Sequence, residues 1–133
     1  MQKERSSFKI PSRKHQPKGL SIIYEDTDII VVEKKEGLLT IGTDREHRKT
    51  AYFYLNDYVK KGNARSRNRV FIVHRLDRDT SGILIFAKNE NAKRYLQDKW
   101  GGFNKKYFAI ISVGVDSLVS VADVVTQQET ASV

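Results

Sequence analysis

The sequence predicts an α+β domain: a mixed, largely antiparallel sheet flanked by helices. Short β-branched runs recur with turn formers between them, and two other stretches repeat apolar residues at helical spacing. Segments of the two kinds alternate in the order ββαββαβ, which a sheet covered by helices satisfies.

Each element has a local cause. Ser21-Ile22-Ile23-Tyr24 and Ile29-Ile30-Val31-Val32-Glu33 are β-branched runs, and Glu25-Asp26-Thr27-Asp28 between them makes the pair a hairpin. Gly37 and Gly42 bracket a loop containing Leu38, Leu39 and Ile41. Thr50 can cap a helix whose apolar face is Ala51, Leu55, Tyr58 and Val59, with Gly62 as its stop. Val70 to Val73 and Gly82 to Ala87 read as strands on either side of a polar stretch. A second helix starts at Asn89 or Asn91, shows Ala92, Tyr95, Leu96 and Trp100 on one face, and stops at Gly101-Gly102. Trp100 is expected in the core. Tyr107 to Val113 is a further strand, Val115 to Val121 can form one more, and Thr126 to Val133 carries no core signal.

Length and charge bound the function. The 133 residues fit one domain, and 39% apolar with 30% charged content is that of a globular protein. No window approaches ~18 consecutive apolar residues, so no membrane span is expected. Without cysteine there is no disulfide framework or thiolate metal site, and the scattered His15, His47 and His74 do not have metal-ligand spacing. Cytoplasm is the expected compartment. The net charge of +8 is concentrated: residues 1–20 carry six Lys/Arg against Glu4, and Lys60, Lys61, Arg65, Arg67 and Arg69 follow one another with no acid between. Two basic segments on a near-neutral body point to a polyanion, most simply nucleic acid, or to a solubilising tail and a solvated loop. Residues 1–19 are expected as a flexible basic arm.

The stretch with chemistry is Val73-His74-Arg75-Leu76-Asp77-Arg78-Asp79-Thr80-Ser81-Gly82, set between two apolar strands. Charges at a strand end cost several kcal/mol unless they are paired or used. If the strand persists, Arg75 and Asp77 point the same way, and a neighbouring cation keeps a carboxylate ionised as a nucleophile or base requires. Thr80 and Ser81 can hold the turn through their hydroxyls, and Gly82 relieves sterics where the chain turns back. On these residues alone, an Arg–Asp bridge closing a strand connection accounts for the pattern as well.

His74-Arg75-Leu76-Asp77, then Thr80-Ser81-Gly82, four apolar residues and Ala87-Lys88, closely resembles the central motif of RluA-type RNA pseudouridine synthases. Glu25-Asp26 with Ile29 to Lys34 and Gly37-Leu38-Leu39 is similar to that family's opening hairpin, and Lys105-Lys106-Tyr107-Phe108-Ala109 to its Lys-x-Tyr-x-Ala strand. The resemblance spans Leu20 to Gly114 in the family's order. It implies isomerisation of uridine to pseudouridine in rRNA or tRNA without a cofactor or metal. By this resemblance Asp77 is the catalytic carboxylate, whether it attacks C1′, adds to the ring or takes a sugar proton. Arg75 accompanies the flipped nucleotide, Tyr107 packs against the base, and Lys105 either touches RNA or is a surface lysine. His74, Thr80, Ser81 and Gly82 support the motif, and Lys60, Lys61, Arg65, Arg67 and Arg69 meet the RNA backbone.

One departure is marked. A Gly-Arg-x-His-Gln-x-Arg-like stretch of the family has no counterpart, and no Lys or Arg follows Lys106. Residues 20–133 are therefore expected to be part of a catalytic domain, with activity of these residues alone in doubt. The competing expectations are a catalytically silent RNA-binding module of the same fold and a fragment without autonomous function.

Overall fold

The structure is a computed structural model that describes residues 8–112 and 120–127, with backbone alone from residue 106 onward. The chain forms two compact units, Met1–Leu96 and Gln97–Val133.

The first unit is built on a four-stranded sheet of β1 (Leu20–Glu25), β2 (Ile29–Lys34), β3 (Phe71–Ile72) and β4 (Gly82–Ala87), in spatial order β1-β2-β4-β3. Every pairing between these strands is antiparallel, so the sheet is less mixed than the sequence led us to expect. A lone parallel bridge joins Leu39 to Thr50. The β1–β2 turn is closed by the Asp26 carboxylate, which accepts the N–H groups of Asp28 and Ile29 at 2.8 Å each. Alternation places Leu20, Ile22, Ile30, Val32, Leu84 and Phe86 on one buried face, as a half-buried antiparallel sheet requires.

Helix α1 (Ala51–Lys60) starts where Thr50 Oγ1 accepts the Phe53 N–H at 3.0 Å, the cap read from the sequence. It buries Ala51, Leu55 and Val59; Tyr58, expected on that face, is half-buried and reaches Glu25 with its hydroxyl at 3.5 Å. The helix stops one residue before the expected glycine, because Lys61 itself turns left-handed (φ 50°) ahead of Gly62.

Part of the segment read as an arm makes specific contacts. A single 3-10 turn, Arg13–His15, precedes Gln16, whose side chain donates to Pro11 O at 3.0 Å and accepts the Ile22 N–H at 2.7 Å. A side chain thereby occupies one ladder position on the outer edge of β1, which would otherwise invite another strand.

Two expectations are corrected. The strand over Val70 to Val73 shrinks to Phe71–Ile72, because the Val70 N–H is taken by Asn56 Oδ1 at 2.8 Å and the chain leaves the ladder after Ile72. Helix α2 (Glu90–Lys99) begins where Asn89 Oδ1 accepts the Ala92 N–H, but none of its residues is buried, and Tyr95 is 61% exposed. With only three apolar side chains in ten residues, this helix has too narrow a stripe to seat deeply.

In the second unit, β5 (Lys105–Ser112) pairs antiparallel with β6 (Ser120–Gln127), from Lys105 opposite Gln127 to Ser112 opposite Ser120. Strand β6 runs past the expected Val115 to Val121 stretch, most of which lies outside the described residues. Trp100 is half-buried rather than core, with its ring edge-on to Phe103 at 5.7 Å.

Candidate active site

The polar stretch between β3 and β4 is an irregular loop held by hydrogen bonds along its length. Thr40, itself buried, accepts the Leu76 N–H through Oγ1 at 3.1 Å and donates the same hydroxyl to Leu76 O at 2.6 Å. Gly37 N donates to Arg78 O at 2.7 Å. The Thr80 N–H returns to Asp77 O at 3.0 Å, closing a turn over Arg78 and Asp79. His74 Nε2 accepts the Ile85 N–H at 3.1 Å, so an imidazole continues for one bond the ladder that β3 has left.

Beneath the loop lies Lys34, at the end of β2 and fully buried. Its ammonium donates to three backbone carbonyls: Lys35 O at 3.0 Å, Leu38 O at 2.7 Å and Arg78 O at 3.1 Å. Burial pulls the Lys34 pKa below its ordinary value, and the negative charges of Asp79 and Asp77 oppose that pull. The geometry of the loop thus rests on one lysine and one threonine, each bonded to main chain.

This arrangement leaves Asp77 and Arg75 exposed while Leu76 between them is buried. The strand does not persist to Asp77, so the alternation expected to align Arg75 with it does not apply. Among the described residues the ion pair within the loop is Arg78 with Asp79 at 3.5 Å, both exposed. The charge of Asp77 is felt by the buried Lys34, more weakly than that of Asp79. Gly82 ends the loop with φ 147°, a backbone angle that side-chain-bearing residues avoid; a Cβ there would meet only Leu76 Cδ1 at 3.6 Å, so the angle and not the space selects glycine. Ser81 is exposed and Thr80 half-buried.

A second feature of the first unit is a cleft of about 710 Å³, lined by Ile41 and Gly42, by His47, by one face of α1, and by Ser66 to Arg69. Of the five cations expected to meet RNA, Lys60, Arg67 and Arg69 line it; Lys61 and Arg65 do not and are exposed. Asp77 is not among its lining residues. The two features are nonetheless joined, because Thr40, bonded to Leu76, is followed directly by Ile41.

Sequence reasoning missed Lys34 and Thr40. Lys34 had a signal: Ile30, Val32 and Lys34 continue one alternation, which places the lysine on the buried face. Thr40 had none. In the second unit the Lys105 ammonium donates to Trp100 O at 3.1 Å and lies 5.0 Å over the Trp100 ring. Tyr107 stands opposite Val125 in the β5–β6 ladder, and its side chain lies outside the described residues. Among the described residues no group of three potential metal-ligating side chains comes together, and no helix is long and apolar enough to cross a membrane.

The class that these features define is an α+β domain presenting an exposed carboxylate on a tightly held loop, joined to a cationic cleft. Its fold is similar to that of human RNA pseudouridylate synthase domain containing 4, with a TM-score of 0.56 and 19% identity over 79% of this chain and 51% of that one. Residues 28–131 match the family described as RNA pseudouridylate synthase, and the chain belongs to that family. It is 40% identical over 103 residues to ribosomal large subunit pseudouridine synthase D of Borreliella burgdorferi, covering 74% of this chain and 32% of that protein. With tRNA pseudouridine synthase C of Haemophilus ducreyi it shares 32% identity over 96 residues, 69% of this chain and 37% of that protein. The chain spans about a third of the length of the curated relatives that it matches.

Proposed function

We propose that this chain carries the carboxylate of an RNA uridine isomerase, which converts uridine to pseudouridine in rRNA or tRNA in the cytoplasm. The observation that carries the reading is the loop itself. Asp77 is exposed to a substrate, yet the residues on both sides of it are fixed through Leu76 to Thr40 and through Arg78 to Lys34 and Gly37. A reacting group held by main-chain bonds loses little freedom when its substrate arrives, which is how positioning lowers a barrier.

The reaction balances without a cofactor. The C1′–N1 bond of uridine breaks, the base turns, and a C1′–C5 bond forms; the C5 hydrogen leaves as a proton and N1 regains one. Asp77 serves as nucleophile or as base in this sequence. The target base leaves its stack first, at a cost of a few kcal/mol in a duplex and less in a loop. Arg75, exposed two residues away, is proposed to take the vacated space or a phosphate.

The test is direct. RNA incubated with the 133-residue chain, or with any longer chain containing it, is digested to nucleosides and chromatographed. Pseudouridine should appear at defined positions. RNA that is bound but never converted would instead support the silent binding module.

A further inference from the structure

We propose that the cleft joined to the catalytic loop through Thr40 is a subsite for one single-stranded nucleotide of the strand that carries the target uridine, its base against Phe53 and its phosphate against Arg67 and Arg69. The inference rests on the reading that the partner is RNA, but not on Asp77 being catalytic.

Helix α1 has two working faces. Ala51, Leu55 and Val59 are buried, whereas Phe53, Asn56, Asp57 and Lys60, at positions i, i+3, i+4 and i+7, all line the cleft. Phe53 is 42% exposed on that wall. A large ring kept partly open to water in a cleft with three cations is poorly used as core and well placed as a stacking surface, since every base offers a π-face.

The opposite wall is built rather than merely solvated. The basic loop is folded by its own bonds, with Ser66 N donating to Asn63 O at 2.9 Å and Asn68 N to Ser66 Oγ at 3.1 Å. It is tied to α1 where Asn68 Nδ2 reaches Val59 O at 3.5 Å. Arg69 is aimed twice over: Nη2 donates to the Tyr52 hydroxyl at 2.8 Å, and the guanidinium carbon lies 4.4 Å over the Phe71 ring. A guanidinium held in this way has spent its rotamer freedom before a phosphate arrives, and it keeps further N–H groups for that phosphate. Asp57, on the α1 wall, is the acid of the cleft lining. It repels a phosphate and accepts N–H groups from a base, so both polar halves of a nucleotide have a counterpart.

Position supplies the last step. Ile41 opens the cleft, and Thr40 before it is bonded to Leu76, the residue before Asp77. The cleft and the catalytic loop are thus linked through Ile41, Thr40 and Leu76, and on the proposal an occupant of the cleft belongs to the same strand as the nucleotide at Asp77.

The experiment measures anisotropy of a labelled single-stranded RNA oligonucleotide against the 133-residue chain over a range of salt. Phe53→Ala should weaken binding roughly fivefold to a hundredfold, the range for a lost base–aromatic stack. Arg67→Gln should lower the slope of log affinity against log salt by about 0.7, the value for one phosphate of a single strand. Phe53→Trp should keep the affinity, and the new indole, read over the Trp100 background, should be quenched as RNA is added. Unchanged affinity in Phe53→Ala, or an indole indifferent to RNA, overturns the subsite, as does a folded chain that binds no single-stranded RNA. Nucleoside analysis is read separately: Phe53-dependent binding without conversion of uridine would end the proposed function and leave the subsite standing.

Discussion

Lys34→Met should destabilise the first unit by about 3 kcal/mol or more, because it removes an ammonium that donates to three carbonyls at once. Methionine fills a similar volume, so loss of packing is not the main term. The cost comes from leaving Lys35 O, Leu38 O and Arg78 O without their shared donor, and each bond to a charged group is worth about 1.5–3 kcal/mol. Against a total stability of about 5–15 kcal/mol, that loss is large. Urea unfolding checks it, and an unchanged midpoint would show that the loop does not depend on Lys34.

The same lysine has a pH signature of definite sign. Its folded pKa lies below the ordinary value of 10.5, chiefly through burial, with Asp79 and Asp77 pulling the other way. Between the folded value and 10.5 the unfolded chain binds the proton and the folded chain does not, so this lysine makes stability rise with pH in that window. The stability difference between the parent chain and Lys34→Met should therefore widen as the solution becomes alkaline. A difference that narrows would contradict the burial of Lys34 as a charge.

The comparison of sequence with structure has a physical pattern. The β1–β2 hairpin, β4 and the start of α1 were legible because local preference and tertiary burial agree there: β-branched runs alternate into a core, and Thr50 caps its own helix. Strand β3 was over-read because a β-branched run does not reveal which backbone groups a distant side chain will claim, and Asn56 and His74 each claim one. The motif marked its loop, but not how the loop is held. Alternation marks Lys34 as buried but not its bond to Arg78 O, and nothing in the sequence marks the bonds of Thr40 to Leu76. The cleft was half legible. Phe53, Asn56, Asp57 and Lys60 share a helix face that can be counted from sequence, but their meeting with Ile41, Gly42 and the basic loop is tertiary.

Asp77→Asn should abolish isomerisation and leave RNA binding intact. The substitution keeps the shape of the side chain and removes the charge that nucleophilic or base chemistry needs. Asp77 is exposed, and the turn it heads is closed by its main-chain oxygen, so the loop should keep its conformation. Loss of a positioned acid–base group alone costs about 10²–10⁴-fold in rate, and loss of a nucleophile costs at least as much. RNA affinity should hold because the cationic cleft does not include Asp77. Formation of the C1′–C5 bond expels the hydrogen at C5, so RNA tritiated at uridine C5 reports each turnover as label released to water. With enzyme in excess and at a concentration that binds all of the RNA, the parent chain should release the label and Asp77→Asn, equally bound, should not. Release by Asp77→Asn at the parent rate would contradict the account.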